Sequence, residues 1–146
     1  MGVKLGLDAK LYRNTGTPGA PTWVEMTNVK DLTLNLEASE ADVTTRGNAG
    51  WRATLAALKD ASIEFEMVWD TADAAFTAIK DAFFGSTSVE FAVMDGDITV
   101  TGVQGLRAEM SITNFSRSEP LEEAISVSVT AKPTYATAAP SWMTVP

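Results

Sequence analysis

Hydrophobic and polar residues alternate in short runs along most of the chain. The clearest runs are LTLNL (32–36), SIEFEMVW (62–69), VEFAV (89–93), LRAEMSI (106–112) and AISVSVTA (124–131). In the second run, Ile63 and Phe65 alternate with Glu64 and Glu66, so a strand here would have one apolar and one polar face. Such strands are typical of antiparallel sheets with one solvated side, and the pattern therefore predicts a mainly antiparallel β-protein.

The opening segment and the connections extend this prediction. GVKLGLDAKLYR (2–13) keeps its apolar residues in one phase and predicts another strand. MDGDI (94–98) predicts a tight type I′ hairpin turn, since Asp95-Gly96 is a favoured pair for that turn. NTGTPGAPT (14–22) predicts an irregular loop, and the aperiodic residues 133–146 predict an extended C-terminal arm after a single domain over residues 1–132.

One predicted helix, WDTADAAFTAIKDAFFG (69–85), interrupts the series of strands. Its apolar stripe at helical spacing consists of Ala72, Phe76, Ile79 and Phe83. Asp70 or Thr71 is the predicted N-cap, and Gly85 is the predicted left-handed residue that ends the helix. Together these elements predict a mostly β fold, an antiparallel β-sandwich or barrel of about seven to eight strands with one flanking α-helix.

Composition limits the chemistry that this fold can perform. The 146-residue chain contains neither histidine nor cysteine and has a net charge of −8. A Ser-His-Asp triad, a Cys-His pair, a His-ligated metal site and a disulfide are therefore excluded. The acidic charge repels phosphate, which argues against tight or sequence-specific binding of nucleic acid. No apolar run approaches the ~18 residues of a membrane-spanning helix, so no membrane partner is predicted.

Pairs of carboxylates offer the remaining route to catalysis or metal binding. Glu64 and Glu66 share a strand face at a distance of roughly 7 Å, which keeps a carbohydrate-binding or glycosidase β-sandwich as an alternative. A solvated strand face explains the same spacing, and no aromatic sugar platform is interleaved with the two residues. Asp95 and Asp97 offer the oxygen ligands that calcium prefers, but the D-x-D spacing is too common to be specific.

Three further features bear on chemistry. Glu37, Glu40 and Asp42 form an acidic cluster that suits either a cation site or a solvated loop. GNAGW (47–51) lacks the Lys-Ser/Thr pair of a phosphate-binding loop, and Lys59 has no partner set for Schiff-base chemistry. The sequence therefore predicts no catalytic residue, no cofactor and no metal site, and it indicates a protein that is not an enzyme.

The segment EADVTTRGNAGWR (40–52) carries the residue types of a contact surface. Trp51, Arg46 and Arg52 belong to the types that are enriched in interface hot spots. A sheet with unpaired edges also needs a cover, which neighbouring identical subunits can supply. From the residues alone, packing of Trp51 on its own core and contact with a partner are equally supported.

Three long segments resemble, in order, the major tail tube proteins of long-tailed bacteriophages and related prophages. The segments are EADVTTRGNAGWRATLAALKDASIEFEMVW (40–69), TAIKDAFFGSTSVEFAVMDGD (77–97) and GLRAEMSITNFSRSEPLEEAISVSVTAKP (105–133). The motifs with the strongest resemblance are D-x-TTR-x-x-x-GW (42–51) and NFSRSEPLEEA (114–124). WVEMTNVKDLTLNLE (23–37) also resembles the first strand pair of that family.

The resemblance implies a β-sandwich or barrel with a flanking helix, as in phage tail tubes and type VI secretion tubes. It implies homohexameric rings that stack into a tube for DNA ejection in the virion tail, with synthesis in the bacterial host cytoplasm. The implied partners are copies of the same chain, tail-tip or baseplate proteins and terminator proteins, with DNA only as passing cargo. The residues carried over to a subunit or ring interface are Asp42, Thr44, Thr45, Arg46, Trp51 and Arg52.

One alternative lies close to this interpretation, namely the inner-tube protein of a contractile injection or type VI-like secretion system. The fold would be the same in both cases.

An acidic chain suits a lumen along which DNA slides without binding. The strand faces rich in Ser, Thr and Glu suit either the lumen or the outer surface, and the sequence does not decide between them.

Overall fold

The computed structural model describes residues 3–146, which form eight β-strands and one α-helix. The strands are β1 (Lys10–Asn14), β2 (Trp23–Glu25), β3 (Val29–Asp42), β4 (Thr54–Val68), β5 (Ser88–Met94), β6 (Gln104–Ser118), β7 (Ser126–Pro133) and β8 (Ser141–Thr144), and the helix α1 spans Ala74–Gly85. All strand pairs are antiparallel, in the order β2-β1-β5-β6-β7-β4-β3, with β8 beside β6. This arrangement confirms the predicted antiparallel β-fold with one helix.

Strand β6 connects two halves of the sheet. Its residues 105–111 pair with β5, and its residues 110–118 pair with β7. The strand register shifts between Ile112 and Asn114, and a bulge of this kind bends a strand. One half, the outer half, therefore consists of β2, β1, β5, β8 and the start of β6. The other, the inner half, consists of β3, β4, β7 and the end of β6.

The main core lies between these two halves. Phe91 of β5 meets Phe65 of β4 edge to face, with ring centroids 6.1 Å apart. Helix α1 closes the core with its buried residues Ala75, Phe76, Ile79 and Ala82. Removing such side chains from water supplies the main stabilisation, at about 25 cal/mol per Å² of apolar surface. Within residues 3–146, no helix has the length and apolar character needed to cross a membrane.

A smaller core lies on the opposite face of the outer half. Met143 and Val145 from the end of the chain pack there on Tyr12, Ala92, Met94 and Val103. Residues 141–144 pair with residues 104–107 of β6 and so form β8. Part of the segment predicted as an extended arm therefore docks on the sheet as a strand.

The opening segment differs from its predicted strand. Residues 6–8 form a short 3₁₀ helix, and β1 begins only at Lys10. Val3, Leu5 and Leu7 are 78%, 68% and 91% exposed, because no layer of the chain lies opposite them. Gly2, the first residue of the predicted strand, lies outside the described residues.

Helix α1 begins later than the sequence predicts. Its N-cap is Asp73, not Asp70 or Thr71. The Asp70 carboxylate instead accepts the N–H of Ala72 (3.0 Å) in a turn that precedes the helix. Ala72 is therefore outside the helix and does not belong to its buried stripe.

The end of α1 also differs by one residue from the prediction. Ser86, not Gly85, takes the left-handed conformation, with a φ of 54°. Phe83 is 37% exposed, but its ring stacks on that of Phe115 in β6 at 6.0 Å. This stacking fixes the last turn of the helix against the inner half of the sheet.

The connection between β5 and β6 is longer than the predicted two-residue turn. It covers residues 95–103, and its left-handed glycine is Gly102 (φ 89°), not Gly96. Val103 is buried in the smaller core, so the chain must extend beyond a tight turn to place it there. The predicted type I′ turn at Asp95-Gly96 is wrong, although the two flanking strands do pair.

Candidate subunit interface

Strands β3 and β4 form a hairpin that continues past the core. At its base, Ile63 and Met67 are fully buried, whereas every residue from 54 to 60 is exposed. The strands nevertheless remain paired as far as Asp42 and Thr54. The segment EADVTTRGNAGWR (40–52) therefore begins as strand, because β3 continues to Asp42. We call the exposed part of this hairpin, residues 37–60, the distal hairpin. A two-stranded ribbon without an opposing layer is only marginally stable alone, so the distal hairpin is a candidate contact surface.

A β-bulge lies in the middle of the distal hairpin. Ser39 bridges it, because its Oγ accepts the N–H of Leu58 (3.0 Å) and donates to the carbonyl oxygen of the same residue (3.3 Å). The Leu58 side chain is 82% exposed, and Leu55 on the same strand is 61% exposed. Neither leucine is among the predicted interface residues. The loss of period-two alternation in TLAALKD (54–60) is the sequence signal that would find them.

The tip loop, residues 43–53, connects β3 to β4. Its base is closed by hydrogen bonds among Asp42, Thr44 and Ala53. The N–H of Thr44 donates to Asp42 Oδ1 (2.9 Å), and the N–H of Ala53 donates to Thr44 Oγ1 (2.9 Å). Hydrogen bonds from the Thr44 hydroxyl and N–H hold the pKa of Asp42 below its usual range. Asp42 is therefore an ionised acceptor that fixes the start of the loop at neutral pH.

Thr45 and Asn48 shape the turn itself. The Thr45 N–H donates to Asn48 Oδ1 (2.6 Å), and the Thr45 hydroxyl donates to the same oxygen (3.1 Å). Ala49 and Gly50 follow with positive φ angles of 53° and 86°. Glycine adopts such angles without strain, so Gly50 suits the point where the chain returns towards β4.

Trp51, Arg46 and Arg52 remain exposed on this ordered loop. Trp51 is 79% exposed, so it does not pack on its own core. Neither arginine forms a salt bridge with another residue of the described chain. The structure therefore brings all the predicted interface residues to one hairpin tip. The polar members shape the loop, and the tryptophan and arginines are available for contact.

The inner half of the sheet has an uncovered polar face opposite the core. Its residues on β3, β4, β7 and β6 are Thr33, Asn35, Ser62, Glu64, Glu66, Ser126, Ser128, Thr130, Asn114 and Ser116. Glu64 and Glu66 lie in the middle, beside Thr130 and Ser128 of the next strand. The two carboxylates thus belong to a broad surface of hydroxyls and amides, which we call the inner face.

The other acidic candidates have local partners. Asp97 Oδ1 accepts the N–H (2.9 Å) and the hydroxyl (2.8 Å) of Thr99, and these bonds lower the pKa of Asp97. Asp95 Oδ1 accepts the N–H of Gln104 (3.1 Å). Among residues 3–146, no group of three or more acidic side chains is placed to hold a metal ion.

Two strand edges of the inner half are unpaired in the described chain. Strand β3 pairs only with β4, and residues 113–118 of β6 pair only with β7. Directions alternate across β3, β4, β7 and β6, so β3 and β6 run antiparallel to each other. Unpaired edges are templates for pairing with another chain. The β3 edge of one copy therefore suits the β6 edge of another.

These edges, the inner face and the projecting hairpin define a class of protein, the self-assembling β-sheet subunit. The chain belongs to the phage tail tube protein family, whose sequence model matches residues 7–134. This finding confirms the family and the structural role in a tail tube that the motifs predict. No protein with a curated description matches the chain in sequence.

Solved tube structures are similar in fold. The tail of an empty gene transfer agent particle, refined with C6 symmetry, contains a chain with a TM-score of 0.75 and 21% identity, covering 97% of this chain and 99% of that chain. The SPP1 tail tube gives a TM-score of 0.70 and 16% identity, over 89% of this chain and 75% of that chain. The sheath–tube complex of an extracellular contractile injection system gives a TM-score of 0.66 and 6% identity, over 99% of this chain and 93% of that chain.

Proposed function

We propose that this protein forms hexameric rings that stack into a tail tube, through which DNA is ejected. Its main partner is a second copy of itself. The assembled tube also contacts tail-tip or baseplate proteins and terminator proteins. DNA passes through the tube only as cargo. The subunit is made in the host cytoplasm and acts in the virion tail, where it contributes structure and no catalysis. The observation that carries the proposal is the pair of complementary unpaired edges in a member of the tail tube family.

Ring closure follows from these edges. Rotation about an axis that runs alongside the strands preserves their direction, so β3 of one copy meets residues 113–118 of the next in the antiparallel sense. Each copy then adds its inner half to a common barrel, and a closed barrel leaves no edge unpaired. The C6 symmetry of the similar gene transfer agent tail supports six copies in the ring.

The inner face lines the lumen in this arrangement. Helix α1 and the outer half of the sheet cover the apolar side of the same strands, so only the inner face can surround a narrow channel. It carries hydroxyls and the carboxylates Glu64 and Glu66, with Lys132 at its margin. Negative charge repels phosphate and offers passing DNA no long-lived binding site.

The hairpin tip contacts a neighbouring subunit or ring. From the pair Leu36–Ala61 to the pair Asp42–Thr54, the hairpin extends roughly 20 Å, at about 3.3 Å per residue. Its tip carries the exposed Trp51, Arg46 and Arg52, on a loop that Asp42, Thr44 and Thr45 hold in shape. A preformed loop loses less conformational entropy when it binds, which favours a specific contact.

Simultaneous replacement Arg46→Ala and Trp51→Ala tests the contact. Electron microscopy at high protein concentration should show tubes for the unaltered chain and a loss of stacked rings for the variant. The circular dichroism spectrum should stay unchanged, because neither side chain packs on the core.

The matched control is Lys80→Ala with Phe84→Ala, which also removes one cation and one exposed aromatic, here from α1. This variant should still form tubes. Normal tubes from the tip variant, or an equal loss in the control, would refute the assigned role of the tip. An unaltered chain that stays monomeric at every concentration would overturn the assembly itself.

The shared fold also supports the inner tube of a contractile injection or type VI-like system as a second candidate. Both functions require the same rings, so the interface variants do not separate them. A contractile system also needs a sheath around the tube. Genes for a sheath and a baseplate ATPase beside this gene would favour the second candidate.

A further inference from the structure

Glu109 of β6 is the one buried charged residue among residues 3–146, with 7% of its surface exposed. Its Oε2 accepts the N–H of Thr137 (2.6 Å) and of Ala138 (3.2 Å). Its main-chain carbonyl oxygen accepts the N–H of Thr134 (2.8 Å). Glu109 therefore fastens the start of the C-terminal segment, residues 134–146, to the sheet.

The charged side chains near Glu109 are Glu90, Arg107 and Arg13. Glu90 lies directly opposite on β5, and it is held by Asn14 Nδ2 (2.7 Å) and Arg107 Nε (3.1 Å). Arg13 of β1 lines the same cleft and forms no salt bridge in the described chain. The C-terminal segment has no acidic or basic side chain. Backbone N–H groups of the segment thus compensate Glu109, while Arg107 compensates Glu90.

The other side chains that hold the C-terminal segment are uncharged. Its strand β8 pairs with residues 104–107 of β6, and Trp142 Nε1 donates to Gln104 Oε1 (3.0 Å). Met143 and Val145 cover the smaller core. If the segment undocked, it would uncover this apolar cluster and the β6 edge beside it. Thr101 Oγ1 also donates to a main-chain oxygen of Pro146 (3.1 Å). Among the side chains that hold the segment, Glu109 is the one that titrates in the acid range.

We infer that the C-terminal segment is an acid-sensitive latch. Ionised Glu109 holds residues 137 and 138 on the sheet, and protonation of Glu109 loosens this attachment while the main core stays folded. A charged acceptor forms hydrogen bonds about twice as strong as a neutral one, so proton uptake weakens both bonds to Oε2. This inference concerns the subunit alone and does not depend on tube assembly.

The direction of the pH dependence follows from the docked state. The N–H of Thr137 is the main cause that holds the pKa of Glu109 below its usual range while the segment is docked. A carboxyl with a lowered pKa stabilises the docked state above the ordinary glutamate pKa of about 4.3. That stabilisation is lost as the pH falls through the lower, docked-state value.

Amide hydrogen exchange in the full chain tests the latch. Protection factors are measured for Thr137 and Ala138, and for the core residues Phe91 and Val127, between pH 7 and pH 3. In the unaltered chain, acid should lower the protection of the segment before that of the core. Glu109→Gln should lower segment protection by roughly tenfold at pH 7 and remove its pH dependence, because its acceptor is always neutral.

Glu122→Gln is the matched control, because it changes an exposed glutamate in the β6–β7 loop and should leave the segment protected. Segment protection that is the same in Glu109→Gln and in the unaltered chain would overturn the latch. If Glu109→Gln does not fold, the protection factors of the unaltered chain between pH 7 and pH 3 provide the test. Loss of segment and core protection at the same pH would then overturn the inference, and earlier loss from the segment would support it.

Discussion

The base and the tip of the β3–β4 hairpin belong to the same two strands and yet differ in what stabilises them. At the base, Ile63 and Met67 are fully buried against the outer half of the sheet and α1. Towards the tip, Leu58 is 82% exposed and Trp51 is 79% exposed. Polar bonds such as those of Ser39 and Thr44 hold the tip where packing is absent. A strand pair that extends past its own layer keeps its shape through local hydrogen bonds and leaves its apolar groups exposed.

The contrast between packed and unpacked aromatics is sharpest on α1. Phe76→Ala should lower the free energy of unfolding by about 3–5 kcal/mol, because Phe76 is 2% exposed and its loss leaves a cavity. Phe84→Ala on the same helix should change it by at most about 0.5 kcal/mol, since Phe84 is 76% exposed. Urea unfolding followed by circular dichroism measures both, and equal effects would contradict the assigned core.

The same contrast applies to two tryptophans. Trp69 packs on Phe76 with ring centroids 4.6 Å apart and lies under the Arg117 guanidinium at 5.0 Å. Trp69→Ala should therefore lower the free energy of unfolding by about 2–4 kcal/mol. Trp51→Ala should alter it by less than about 0.5 kcal/mol. A destabilisation by Trp51→Ala comparable to that by Trp69→Ala would show that the tip belongs to the folding core.

The inner face can be compared with the outer surface by reversing charge on each. Glu64→Lys with Glu66→Lys should make assembled tubes bind DNA, with an affinity that falls steeply as salt rises. Glu122→Lys with Glu123→Lys makes the same change in net charge on the exposed β6–β7 loop. DNA passing through the lumen should be retarded only by the first variant. The measurement is the amount of DNA that assembled tubes of each variant retain in solution. Equal retention by both variants would contradict the assignment of the inner face to the lumen.

The smallest expected effect concerns the shape of the tip. Thr44→Val removes the hydroxyl bond to Asp42, so the pKa of Asp42 should rise towards its usual value. Because the folded-state pKa of Asp42 is lowered, its contribution to tip order is present above the ordinary aspartate pKa and is lost as the pH falls. A carboxyl NMR titration measures the pKa. Thr33→Val on the inner face is the control and should leave the Asp42 titration unchanged.

The strands near the core were predictable from sequence, whereas their extensions were not. Alternation of Ile63, Phe65 and Met67 with glutamates reports burial on one side, and burial requires an opposing layer. Residues 54–60 have no such layer, so their strand is set by pairing with β3 and leaves no alternation in the sequence. Val3, Leu5 and Leu7 show the reverse case, in which alternation without a layer did not produce a strand.

Part of the candidate interface was also accessible from sequence. The residue types of Trp51, Arg46 and Arg52 indicate a contact surface, but their exposure depends on where the hairpin stands relative to the core. The exposure of Leu55 and Leu58 has a sequence signal, the loss of alternation over residues 54–60, but the interface prediction did not use it. Ser86, not Gly85, is the left-handed residue that follows α1, so glycine propensity alone did not locate the helix end.

The strand-rich fold, the family and the absence of histidine and cysteine chemistry are predictable from the amino-acid sequence. These properties depend on local periodicity, ordered motifs and composition, which need no coordinates. Three features appear in the folded structure and not in the sequence pattern. They are the exposure of Trp51, the two sheet edges that are unpaired within residues 3–146, and the attachment of the C-terminal segment by Glu109. Each of these depends on contacts between residues far apart in the chain, where burial and pairing are set by the whole fold.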